Sequence, residues 1–295
     1  MKHGSDNPET LFVDDIGASI ALYTSEFGYR LDMIVPADSP AAALLSRGSE
    51  RIRLEKSGPP AECSDMWITG RAGMMYRDLI PGRLGGKLIA SHIRLTEGGD
   101  VPDYVHYHKV RFQMIYCVRG AIRVVYEDQG EPFWLHPGDC VLQPPEIRHR
   151  VLWAEARSEV VELGLPAVHE TWVEHEITLP TAEIKPDRVF HGQRFARHIA
   201  ADHLDESVRD TGLMAATDGF ADVKVIRYKD TSFDLKVFSD NRQIIFCFVL
   251  AGKIKSTLMD GSIAEASAGG AFICDSERID GYECVEPSEV LLAAF

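Results

Sequence analysis

The sequence predicts a mainly β protein, two tandem barrels or sandwiches of short strands preceded by a small α+β module. Three observations carry this: the chain repeats itself at a fixed offset, both copies break into short β-branched and aromatic runs, and the first sixty residues follow another pattern. Arg77-Asp78 returns as Arg209-Asp210, 132 residues later. "CVRGAIRV" from Cys117 matches "VLAGKIKS" from Val249, setting Gly120 on Gly252, and "PGDCVLQ" matches "GGAFICD", setting Gly138 on Gly270. One offset serves all three anchors, so the chain holds a tandem duplication of units of roughly 90 to 100 residues.

Residues 1–60 come first. "TLFVDD" reads as a strand, and "DIGASIALYTSEFG" as a helix with apolar spacing at Ile16, Ile20 and Tyr23, an Asp14 or Asp15 N-cap and Gly28 as its stop. "YRLDMIVP", "AAALLSRG" and "ERIRLEK" follow as three strands. This βαβββ order, with "LFVDDIGASIALYTSEFGYRL", resembles one module of the glyoxalase/extradiol-dioxygenase (vicinal oxygen chelate) superfamily. The resemblance implies two modules around one metal; here there is one, and its first strand has no histidine. The module is therefore expected to be a packing or dimerising element, with the protein a homodimer. The metal-bearing copy spans 77–175, where "QMIYCVRG", "AIRVVYE", "DCVLQ" and "EVVELGL" are punctuated by Gly and Pro. Residues 176–208 are more polar and read as a connector with one short helix near "RFARHIAADHL"; the second copy spans 209–295.

Composition excludes several function classes. Lys and Arg total 31 against 45 Asp and Glu, a net charge of −14, and no basic run is present, so nucleic acid is not an expected partner. No apolar run approaches membrane-spanning length, and "MKHGSDNPET" has no apolar signal region. The six cysteines (Cys63, Cys117, Cys140, Cys247, Cys274, Cys284) form no CxxC and suit free thiols in a reducing cytoplasm.

Chemistry concentrates in "DYVHYHKVRFQMIYCVRG". His106 and His108 are two apart on a strand and so face the same way. Gln113 follows five residues on, and "PGDCVLQPPEIRHRV" adds Gly138, Pro145 and His149. The pattern G-x6-HxH-x4-(E/Q)-x6-G, beginning at Gly99, then G-x6-P-x3-H, resembles the two motifs of the cupin superfamily. The resemblance implies double-stranded β-helix (jelly-roll) barrels with one divalent metal inside the first. His106, His108 and His149 would be its ligands, with Gln113 in the position of the usual glutamate. The second copy puts Phe238, Asp240, Ile245 and Gly281 at those positions, and no histidine follows His203. One site per chain is expected, beside a degenerate barrel.

A glutamine binds through its carbonyl and leaves the full +2 on the ion, a stronger Lewis acid than a carboxylate-bound one. Fe, Mn, Ni, Co and Zn all suit the set, Fe being slightly favoured. Three readings follow. An Fe(II)-type dioxygenase of an aromatic or dicarbonyl compound comes first. A non-redox isomerase or lyase on a sugar acid or hydroxyketone is second, and a non-catalytic small-molecule binder third. If His106, Gln113 and His149 point inward, alternation brings Ile115, Cys117, Val151 and Trp153 onto the pocket wall. That wall tilts the choice toward the dioxygenase. Arg111 is a candidate for a substrate carboxylate, and Tyr104 for gating the mouth or donating a proton. His92, in an early strand, either lines the pocket or packs in the core.

Overall fold

The computed structural model describes residues 8–58, 66–231, 233, 235, 237, 238, 242–274 and 279–295; His3, Cys63 and Asp240 lie outside them. The first module has the expected order: β1 (Glu9–Val13), α1 (Ile16–Ser25), β2 (Arg30–Val35), β3 (Ala42–Arg47) and β4 (Glu50–Lys56). Asp15 caps α1 by accepting from Ala18 N at 2.9 Å, satisfying a donor that the first helical turn leaves free. The first barrel follows, as β5 (Ile68–Thr69), β6 (Met75–Asp78), β7 (Ile89–Leu95), β8 (Gly99–Asp100), β9 (His106–His108), β10 (Phe112–Arg119), β11 (Ile122–Tyr126), β12 (Phe133–Leu135), β13 (Cys140–Leu142), β14 (His149–Ala154), β15 (Ser158–Leu165) and β16 (Thr171–Val173).

These strands form two facing sheets. One runs β16-β9-β14-β11-β12, with β8 on β14; the other contains β13-β10-β15-β7-β6-β5. The module is not a separate body. Its β2 pairs antiparallel with β16, which pairs with β9, so its sheet runs without a break into the histidine-bearing sheet. Main-chain groups that an edge strand would leave unpaired are thereby used.

The connector differs from expectation. It forms three short strands, β17 (Val189–Phe190), β18 (Gln193–Arg194) and β19 (Ala196–His198), and helix is confined to one 3-10 turn at Ala200–His203. β19 pairs with β13 and extends the first barrel, the sheet edge overriding local helix propensity. The second copy supplies β20 (Val208–Asp210), β21 (Asp222–Tyr228), β22 (Ile245–Ala251), β23 (Lys253–Leu258), β24 (Ile263–Ser267), β25 (Ala271–Cys274), β26 (Ile279–Cys284) and β27 (Ser288–Ala294). They are arranged as β20-β21-β27-β22-β25 and β24-β23-β26.

The duplication is visible in three dimensions. Gly120 and Gly252 have φ of 69° and 80°, and a Cβ on either would meet a serine hydroxyl, of Ser158 at 2.4 Å and of Ser288 at 2.3 Å. The third anchor shifts by one residue. Gly138 N donates to Cys117 O and Gly269 N to Val249 O, both at 2.8 Å, so Gly138 corresponds to Gly269 rather than Gly270. The outer faces of β10, β13 and β15 pack against those of β21, β22 and β27, burying Phe112, Met114, Leu163, Phe246, Phe248 and Leu291 in one core. The five described cysteines are free thiols. Among the described residues no helix is long and apolar enough to cross a membrane.

Phe112 is fully buried where the two barrels meet. Phe112→Ala should lower unfolding free energy by about 3–5 kcal/mol, measured by chemical denaturation.

Candidate metal centre

His106 and His108 stand on β9, and His149 opens β14; His106 and His149 are direct cross-strand partners. Their ring centroids lie 4.2 Å (His106–His149), 5.1 Å (His106–His108) and 5.2 Å (His108–His149) apart. One nitrogen from each falls within 4.8 Å of the other two, the one such trio of His, Cys, Asp or Glu among the described residues.

Each Nδ1 is already committed. His106 Nδ1–H donates to the Tyr104 carbonyl at 2.8 Å and His149 Nδ1–H to the Ile147 carbonyl at 2.9 Å; a carbonyl can only accept, which fixes these tautomers. His108 Nδ1 lies 2.9 Å from Thr171 Oγ1 on β16. With Nδ1 anchored, Nε2 is the free lone pair, and His106 Nε2 is buried with no partner in the protein. Burial holds all three rings neutral, as a metal requires. His106 and His108 are pushed well below the usual histidine value by desolvation, with nearby imidazoles and Arg71 adding to it, and His149 is lowered to about 4, again by desolvation first.

Gln113 faces these rings from the opposite sheet, lining the same cavity of about 50 Å³. Its Nε2 donates to Glu162 Oε1 at 2.8 Å, so the amide carbonyl is the end left over. Glu162, on β15, belongs to no motif, and the sequence reading misses it; burial raises its carboxyl above the usual range. Its signal was alternation within "EVVELGL", where the charged residue occupies an inward position. Tyr126 stacks on His149 at 5.6 Å and accepts from Gln143 Nε2 at 2.9 Å, closing the inner end.

Ile115 and Val151 line the cavity. Trp153 does not, because a bulge shifts the β11–β14 register between Arg123 and Val124; the tryptophan faces outward and packs on Trp134 at 5.4 Å. Cys117 points inward but is fully buried in the apolar core. Arg111 stays outside: its guanidinium lies 4.0 Å from the Phe220 ring of the second copy, in a separate groove with Glu146 and His191. Tyr104 borders a groove beneath α1; its carbonyl accepts from His106 Nδ1 and its ring stands edge-on to that imidazole at 5.8 Å. His92 faces the second copy, bonded to Glu159 at 2.9 Å and 5.6 Å from Phe248. His169, which the motif omits, packs 5.4 Å from His108.

The comparisons with known proteins fall on this geometry. Residues 91–163 match the family described as "Cupin domain". The cupin match covers β7 to β15 and all three histidines. Among solved structures, a point mutant of Bacillus subtilis oxalate decarboxylase aligns with a TM-score of 0.52 at 12% identity, over 80% of this chain and 78% of that one. The same enzyme solved at pH 4.6 aligns with a TM-score of 0.50 at 13% identity, over 80% and 77%. At that identity the likeness concerns the fold, a β-rich tandem cupin. No curated protein sequence matches the chain.

In the second barrel the described counterparts of His106 and His149 are apolar. Leu258 pairs with Ile279 where Tyr126 pairs with His149, so Ile279 replaces the third histidine, not Gly281. Phe238 is buried in that barrel's interior core, and Ile245 packs against it.

Thr171→Val removes the hydroxyl that orients His108 and should weaken divalent-metal affinity roughly 10- to 100-fold, measured by titration with Zn2+ or Co2+. Stability should follow the buried imidazoles. An unfolded histidine titrates near 6.5 and His149 near 4 in the fold, so between these values the unfolded chain binds more protons. Stability of the metal-free protein should fall as pH drops through that window; calorimetric Tm against pH reads this, and His149→Leu should flatten the slope.

Proposed function

We propose that the chain is a metal-dependent enzyme acting on a compact, oxygen-rich organic molecule, with His106, His108 and His149 holding one divalent ion through Nε2. The unpartnered Nε2 of His106, buried among two more imidazoles anchored at Nδ1, supports this most directly. A bound ion supplies Lewis acidity toward substrate oxygens and open positions for two of them. Fe, Mn, Ni, Co and Zn all suit three imidazoles and an amide oxygen.

The chain's own groups do the rest. Gln113, turned by its bond to Glu162, offers the ion a neutral oxygen. Glu162, whose carboxyl pKa is raised by burial, lines the same cavity and can pass a proton to or take one from a substrate carbon or oxygen. Apolar Ile115, Val124, Val151 and Val160 keep water out. This arrangement favours proton-transfer chemistry, a lyase or isomerase acting beside a carbonyl. About 50 Å³ admits roughly three to five water-sized groups, which suits a hydroxy acid, hydroxyketone or dicarbonyl of few carbons better than a substituted ring. The dioxygenase stands second, supported by the apolar interior; its argument for a ring weakens with Trp153 and Cys117 off the wall.

Protein purified without added metal should carry about one ion per chain, and His149→Ala should carry none; unchanged metal content in the variant would refute the site. Glu162→Gln should slow solvent-hydrogen exchange into hydroxyketone and dicarbonyl probes by about 100-fold or more with metal content unchanged, read by NMR. Oxygen consumption by the Fe(II)-loaded protein with the same probes would put the dioxygenase first.

A further inference from the structure

Arg71 lines the histidine cavity, and neither metal binding nor proton transfer uses it. It lies in the turn Arg71–Gly73, between β5 and β6 at the start of the first barrel and outside the cupin match. Its position is set closely: a Cβ on Gly70 would stand 2.6 Å from the Asp38 carbonyl and 2.7 Å from the Tyr76 ring, so only glycine lets the turn press this near. The Arg71 side chain is 10% exposed. Nη1 donates to Asp103 Oδ1, and Nε is buried with no partner.

Asp103 holds the guanidinium without using it up. Its Oδ1 also accepts from Tyr104 N at 3.0 Å and its Oδ2 from Val151 N at 3.0 Å, which ties Arg71 to β14 and to the approach of β9. A guanidinium carries five N–H donors in a fixed fork that matches a carboxylate. Asp103 takes one, and a buried unpaired donor calls for an acceptor. Arg71 lines the same cavity as His106, His108, His149 and Glu162, and its charge helps to lower the His106 imidazole after desolvation. Arg150 also borders the cavity, but it sits between inward-facing His149 and Val151, so alternation sends its side chain to the other face.

We infer that Arg71 is the anion anchor of this site: the substrate is a compact carboxylate of few carbons, its carboxylate accepting from the free donors of Arg71 while a second oxygen reaches the ion. This rests on the histidine cavity being the active site. Arg71 is then a specificity-determining residue that the family's motifs do not contain.

Glycolate and its uncharged isostere glycolamide test it, titrated calorimetrically into metal-free and Zn2+-loaded protein. Both wild-type forms should prefer glycolate, and Arg71→Gln should weaken glycolate binding roughly 10- to 100-fold while glycolamide binding and zinc stoichiometry stay as in wild type. Arg71→Lys, which keeps the charge beside Asp103 but loses the fork, should lose at least about fivefold, and it decides the matter if the glutamine variant does not fold. Wild-type glycolate affinity in whichever variant folds would overturn the assignment, placing the anion on the ion alone. If zinc fails to bind wild-type protein, the metal reading falls by itself, and the metal-free titrations still decide for or against Arg71.

Discussion

The alternation of β10 is the constraint on which the rest depends. Phe112, Met114 and Tyr116 face outward into the core shared with the second barrel, while Gln113, Ile115 and Cys117 face the interior of the first. Because the strand period is two, a slip of one residue would exchange these sets, exposing the amide to the apolar interface and pushing phenylalanine into the cavity. The interface therefore fixes the register that aims Gln113 at the imidazoles. A contact with the second copy, remote from the imidazoles, thus sets the geometry of the site.

The second copy carries the same frame with other contents. Its Gly252 turn closes on Ser288 as Gly120 closes on Ser158, and its interior holds Cys247, Val249, Ile254 and Leu292. Duplicated arginines stand at matching places between the two copies. Arg77 Nη2 donates to the Gly269 carbonyl at 2.6 Å, and Arg209 Nη1 lies 3.6 Å from where a Cβ on Gly138 would be. Each arginine is the duplicate of the other, so the pair that revealed the repeat in the sequence also joins its halves. Phe238, at the position of His106, is buried in the second copy's interior core.

What was legible in the sequence depended on whether a residue's partner was local. The trio was readable because HxH on a strand and a third histidine after a Gly-Pro turn fix their own geometry. The repeat was readable because turn glycines tolerate few replacements. Trp153 was misplaced because the bulge beside it leaves no mark in a run of apolar residues, and one extra residue reverses every side chain beyond it. Arg111 falls outside the histidine cavity because its partner, Phe220, lies in the other copy. Glu162 and Arg71 act through groups 49 and 32 residues away, and no spacing rule relates them. The same applies to β16, three residues that join the module to the barrel and carry the Thr171 hydroxyl.

The glutamine at position 113 can now be understood through its neighbour. A carboxylate there would be a ligand and would share the cavity with Glu162, two acids across adjacent strands in a space closed to water. Like charges at that range in low dielectric force one to stay protonated, and the proton would be held between them rather than offered to a substrate. An amide removes the conflict: it donates to Glu162 with one end and leaves an oxygen at the other. The acid the motif lacks is present one strand over, kept from the ion by the amide that replaced it. On the proposed reading, the carboxyl beside the ion serves proton transfer rather than ligation.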